Sequence, residues 1–144
     1  MRSFLARFAT RRSALLGLFG ALVLGVGFSV FSPGGAYAFP DISPAKAAQL
    51  IKARADVVVL DIRTPGEYRA GHIAGAVNVD YYDDGYRAAL AKLDPAKTYI
   101  MHCKRGGRSS WSLKAFRDLG FTDIRHMRAG MDGWLRAGLP VVRP

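Results

Sequence analysis

The chain has 144 residues, half of them apolar and 22% charged, with a net charge of +10 at pH 7 and one cysteine. That length bounds it to one domain plus whatever the N-terminus adds, and the composition excludes a disordered chain. A lone cysteine excludes an internal disulfide, so the fold rests on its core, and any oxidised or sulfur-loaded thiol must be discharged by an outside partner.

Residues 1–38 read as an address. Arg2, Arg7, Arg11 and Arg12 make the start cationic, Ala14 to Phe31 carry no charge, and Ala36-Tyr37-Ala38 follows a Ser-Pro-Gly-Gly break. Positive start, apolar middle and small-residue end describe a secretory signal peptide, with cleavage leaving Phe39 first. Thr10-Arg11-Arg12-Ser13 partly matches a twin-arginine export signal, although Ala14 stands where Phe is usual. A retained membrane anchor is the alternative, disfavoured by Gly17, Gly20, Gly25 and Gly27. On either reading residues 39–144 form the working domain, exported across a membrane, periplasmic in a bacterium or anchored to the far side. The membrane is then a partner only through the N-terminal segment.

Ser43-Pro44 caps and opens a helix through about Arg54. Val57 to Leu60 is a β-branched run, expected as a strand buried on both faces. Thr64-Pro65-Gly66 turns the chain into a short helix around Glu67-Tyr68, and Ala76 to Val79 is a second strand. Tyr86 to Leu93 reads as a helix, Thr98 to Met101 as the next strand. Ser109 or Ser110 is expected to cap a helix running to Leu119, ended by Gly120. Ile124 to His126 is another strand, and Met131 to Ala137 a last helix. Short apolar strands alternating with helices imply an α/β domain, a small parallel sheet with helices on both faces.

The segment His102 to Ser110 carries the chemistry, because ligands of α/β sheets bind beyond the carboxyl end of a strand and at a helix start. Gly106 and Gly107 let successive backbone N–H groups turn inward as an anion nest around Cys103. Those dipoles and nearby cations favour thiolate over thiol, the form that attacks sulfur. Lys104, Arg105 and Arg108 concentrate positive charge here and point to a small anionic substrate. No basic stripe interleaved with aromatics is present, so no nucleic-acid partner is expected.

From Val57 to Val142 the sequence resembles a single rhodanese domain. Leu60-Asp61-Ile62-Arg63-Thr64-Pro65-Gly66-Glu67-Tyr68 with Gly71-His72-Ile73-Ala74-Gly75-Ala76-Val77-Asn78 is similar to the family's first signature, Cys103 to Arg108 to its active loop, and Gly130-Met131-Asp132-Gly133-Trp134 with Gly138-Leu139-Pro140-Val141 to its closing signature. One departure is Ala129-Gly130, where the family more often has two glycines. The resemblance implies a sulfurtransferase: Cys103 takes sulfur from a donor such as thiosulfate as a persulfide and passes it to a thiol, cyanide or dithiol acceptor. It implies that Arg108 closes the loop, that the amides from Lys104 to Ser109, through Gly106 and Gly107, cradle the sulfur, and that Lys104 and Arg105 meet an anionic donor. No metal or organic cofactor is implied.

Cysteine-dependent phosphatases of similar fold are a rival, but their loop is one residue longer, and four residues separate Cys103 from Arg108 here. A second alternative is a persulfide carrier or partner-binding module without turnover. Asp61, Arg63 and His72 are expected to be structural supports, with Asp61 and Arg63 bracing the loop from behind. His102 should point away from Cys103, Trp134 should anchor the core, and His126 has no visible partner. The tract Asp80 to Tyr86 reads as a solvated loop, the alternative being that its three tyrosines line the rim of the pocket or contact a partner.

Overall fold

The computed structural model describes residues 39–144. Residues 1–38, expected from the sequence to act as an export signal, lie outside the described residues. Among the described residues there are four strands: β1 (Val58–Asp61), β2 (Val77–Asn78), β3 (Thr98–His102) and β4 (Asp123–His126). All pair in parallel, in the order β2-β1-β3-β4. Five helices connect or flank them: α1 (Pro44–Ala53), α2 (Pro65–Arg69), α3 (Tyr86–Leu90), α4 (Gly107–Asp118) and α5 (Gly130–Arg136).

Period-two alternation along the central strand assigns the two faces. Tyr99 and Met101 of β3 point into one cluster with Leu60, Leu90, Phe116, Phe121 and Ile124, under α3 and α4. Ile100 points into the other, with Val59, Ala47, Met131 and Trp134, under α1 and α5. Every residue of β3 is buried, as a parallel strand covered on both sides must be. Trp134 is 3% exposed and donates its indole N–H to the Pro140 carbonyl at 2.8 Å, the core anchor that was expected.

Helix α3 ends at Leu90 rather than Leu93, and two boundaries nearer the site also differ from the sequence reading. The turn at Thr64 to Gly66 is itself the start of α2, closed by a capping box between Thr64 and Glu67. Helix α4 begins at Gly107, not at a serine cap, because Gly106 takes a left-handed conformation at φ 91° and turns the chain earlier. That leaves Ser109 inside the first turn, with its hydroxyl available for the active loop.

The segment before α1 extends the sheet. His126 N–H donates to Pro40 O at 2.9 Å, and Ile42 N–H donates to His126 O at 2.8 Å, so Asp41 bridges to His126 in parallel. Among the described residues no helix is long and apolar enough to cross a membrane.

Candidate active site

Strand β3 ends one residue before Cys103, which places the thiol beyond the carboxyl edge of the sheet. The alternation continues: Cys103 joins the face of Tyr99 and Met101, and His102 turns to the opposite side. His102 is fully buried, 3.9 Å from Asp61 Oδ2, and burial holds its imidazole below the usual range and hence neutral.

The loop then curls over the sulfur. Gly106 N–H donates to Cys103 Sγ at 3.1 Å, and Ser109 Oγ lies 3.4 Å from the same sulfur. A Cβ on Gly106 would collide with the Arg128 carbonyl oxygen, so a side chain is excluded there on contact as well as on φ. Burial pushes the thiol up, yet hydrogen bonds from the Ser109 hydroxyl and from the amides of Ser109, Arg105 and Gly106 leave it below its ordinary value. From the other side, α5 clamps the loop backbone: Met131 N–H donates to Cys103 O at 2.9 Å and Asp132 N–H to Lys104 O at 3.0 Å.

Cys103 is only 1% exposed, but its sulfur forms the floor of an open pocket of about 430 Å³ walled by Glu67, Tyr82, Lys104, Arg105, Gly107 and Arg108. Gly106 and Ser109, expected to cradle the sulfur, are buried and touch Cys103 Sγ; they are not among the residues that wall this pocket. Lys104, Arg105 and Gly107 do line it.

Arg108 does not aim at the sulfur. Its guanidinium forms two hydrogen bonds to the Glu67 carboxylate, at 2.7 and 2.8 Å, with its Cζ 5.5 Å above the Tyr82 ring centre. The fork matches the carboxylate geometry, ties the loop to α2, and makes Arg108 a positioning residue. Behind the loop, Asp61 and Arg63 are paired at 2.6 Å, both nearly inaccessible, and Arg63 also donates to the Gly71 carbonyl at 2.8 Å. They brace the end of β1, next to which Ile62 N–H donates to His102 O at 3.0 Å. His72 stands away from the loop, stacked on Tyr68 with ring centres 3.7 Å apart and backbone-paired to Val142.

A model of the rhodanese-like domain matches residues 43–137. The chain belongs to the rhodanese-like domain family. Among its relatives, thiosulfate sulfurtransferase 16 of Arabidopsis thaliana chloroplasts is 35% identical over 94 residues, covering 56% of this chain and 76% of that protein. GlpE of Pseudomonas paraeruginosa, named a thiosulfate sulfurtransferase, is 33% identical over 96 residues, 67% of this chain and 84% of its own. The chain spans only about half of another relative, the Synechocystis protein slr1261, with 30% identity and 54% of that protein covered. A solved structure of a rhodanese-related protein from Thermoplasma volcanium aligns with a TM-score of 0.64 at 30% identity, over 72% of this chain and 98% of that one. The polysulfide-sulfur transferase of Wolinella succinogenes aligns at 0.61 with 30% identity, over 74% and 80%. The parallel α/β architecture is thus the rhodanese fold.

Within that fold, the departure at Ala129-Gly130 is harmless. Only Gly130, at φ 62°, needs the left-handed region; Ala129 sits at φ −64° in the right-handed one.

Two features of this rhodanese site, the partners of Glu67 and of His126, are not legible in the sequence, and the place of Tyr82 decides between two readings of its loop. Glu67 belongs to Arg108, 41 positions away. Tyr82 is not part of a merely solvated loop: it forms the pocket rim, while Tyr81 and Tyr86 pack against the core. His126 is far from partnerless. Its Nε2 lies 2.8 Å from Ser109 Oγ, and its Nδ1 lies 2.7 Å from Asp41 Oδ1. A sequence gives no sign of which residues 85 positions apart will meet.

The Glu67–Arg108 pair makes stability depend on acid. The Arg108 hydrogen bonds hold the Glu67 carboxyl at about 2, below the ordinary 4.5. A depressed folded-state value contributes stability that is present above the unfolded value and lost as pH falls from about 4.5 toward 2. Glu67→Gln should therefore lower stability near neutral pH by about 1–2 kcal/mol, discounted for partial exposure. It should also flatten the acid limb of the curve. Urea melts of both proteins from pH 7 to acid check this, and parallel curves would refute it.

Proposed function

We propose that the domain is a sulfurtransferase that carries a sulfane sulfur on Cys103. The observation that supports this most is the sulfur at the floor of a cation-rimmed pocket, accepting an N–H from Gly106 at 3.1 Å. The Cys103 thiolate attacks the outer sulfur of thiosulfate; an S–S bond forms to Cys103, and the donor's own S–S bond breaks, releasing sulfite. The persulfide anion then lies where the loop amides point, in a site that needs no reorganisation to receive the charge. Attack by cyanide or a thiol on the outer sulfur returns the thiolate.

The pocket's charge favours such a donor. Arg108 is neutralised by Glu67, whereas Lys104 has no carboxylate within salt-bridging distance among the described residues. Arg105 meets Asp132 only at 4.0 Å with its side chain 79% exposed. Two cations at the mouth attract a dianion at longer range. Against phosphoryl chemistry stands the length of the loop, in which four residues separate Cys103 from Arg108.

Steady-state assays with thiosulfate and cyanide test the reading. Continuous thiocyanate formation, slowed when salt is added, is the expected result. One sulfur loaded per chain without turnover would make the domain a carrier. Hydrolysis of an aryl phosphate with no sulfur loading would overturn the proposal.

A further inference from the structure

Asp41, His126, Ser109 and Cys103 come from the N-terminal segment, β4, α4 and the active loop, and form one continuous chain. The contacts are 2.7 Å from Asp41 Oδ1 to His126 Nδ1, 2.8 Å from His126 Nε2 to Ser109 Oγ, and 3.4 Å from Ser109 Oγ to Cys103 Sγ. His126 is 1% exposed and Ser109 fully buried, so water does not interrupt the middle of the chain. Arg128 also faces it, with Nη1 3.5 Å from Asp41 Oδ2, and Arg108 and Tyr86 lie within electrostatic reach of Cys103.

Hydrogen counting gives the chain a direction. A carboxylate only accepts, so His126 Nδ1 carries a hydrogen and donates it to Asp41. Ser109 has one hydroxyl hydrogen for three neighbours: the sulfur, His126 Nε2, and Gly106 O at 3.0 Å. Gly106 O already accepts Ser110 N–H at 2.9 Å. When Nε2 is bare, the hydroxyl donates to it and turns a lone pair to the sulfur, which suits a thiol. When Nε2 bears a proton, it donates to Oγ, and the hydroxyl hydrogen is released to a thiolate.

We propose that Asp41, His126 and Ser109 form a proton relay that activates Cys103. The S–H bond breaks as its proton passes to Ser109 Oγ, while the hydroxyl proton passes to His126 Nε2. Thiol and imidazole become thiolate and imidazolium, and no electrons are exchanged. Asp41 holds the imidazole in the receiving tautomer and offsets the charge it gains. Ser109 touches the reacting atom; His126 and Asp41 act through it as positioning residues. The relay rests on Cys103 being the nucleophile proposed above, and it gives the N-terminal segment, which supplies Asp41, a part in the site.

The test is the pH profile of Cys103 alkylation by iodoacetamide in the full chain, for the wild type, His126→Asn and Asp41→Asn. Wild-type Cys103 should react with a midpoint below that of a free thiol. His126→Asn should raise the midpoint by about one pH unit, a roughly tenfold lower rate on the acid side. Asp41→Asn should shift it less, in the same direction. Because Asp41 is half-exposed and asparagine keeps an acceptor, that variant decides the matter if His126→Asn does not fold. In the wild type, capping Cys103 with a methylthio group should also move the His126 Cε1 resonance. Alkylation at the wild-type midpoint in both variants, or an unmoved resonance, would overturn the relay and leave the nucleophile standing. An unreactive wild-type Cys103 would overturn both.

Discussion

Cys103→Ala should yield a folded domain that forms no thiocyanate from thiosulfate and cyanide, a loss of at least about a thousandfold, down to the rate of the reagents in buffer. No second thiol exists in the chain to substitute for it. The fold should survive because the side chain is small and the loop backbone is held by other contacts, from α5 amides on the Cys103 and Lys104 carbonyls to the Glu67–Arg108 fork. The stability cost should be about 1–2 kcal/mol, from leaving the buried Gly106 N–H without its acceptor. Cys103→Ser separates the two effects. The hydroxyl can still accept from Gly106, so stability should return toward the wild type, but an alcohol does not ionise near neutral pH and activity should remain absent. Thermal melts beside the turnover assay check both. Residual turnover in either variant would move the chemistry elsewhere.

Gly130→Ala should be the most damaging change outside the loop itself. Its φ of 62° penalises any side chain, and an added Cβ would collide with the Lys104 carbonyl oxygen and lie 2.6 Å from the Cys103 carbonyl oxygen. Those are the two carbonyls that α5 clamps, so relief requires the loop and α5 to separate. The backbone strain and forced contact together should cost about 2–4 kcal/mol. The Cys103 amide ring should open with them, reducing sulfur loading by about tenfold or more. Gly66→Ala is the control: a methyl there meets nothing within 4 Å, and activity should be unchanged. Equal behaviour of the two variants would show that α5 does not hold the loop.

What could be read from the sequence, and what could not, divides by the range of the interaction. The elements and the nest around Cys103 follow from local patterns: the β-branched run before Asp61, the buried run before His102, and two glycines after the only cysteine. The opposite orientations of His102 and Cys103 follow from strand alternation alone. The helix start was misplaced by three or four residues because a left-handed Gly106 and a serine cap are equally good beginnings on paper. The partners of Arg108 and His126 depend on which loops the sheet brings together, and their chain separations, 41 for Glu67–Arg108 and 85 for Asp41–His126, leave no local trace. Ser109 shows both sides. Its amide is expected among those that cradle the sulfur, but the contact of its hydroxyl with Cys103 Sγ requires the turn geometry.

The claim on which the rest depends is that the amides after Cys103 give a second sulfur atom a place to stay. Intact mass spectrometry after thiosulfate treatment measures this directly. The wild-type chain should gain the mass of one sulfur atom, lose it on addition of cyanide or a reductant, and Cys103→Ala should gain nothing. An unchanged wild-type mass, or the same gain in Cys103→Ala, would contradict the account.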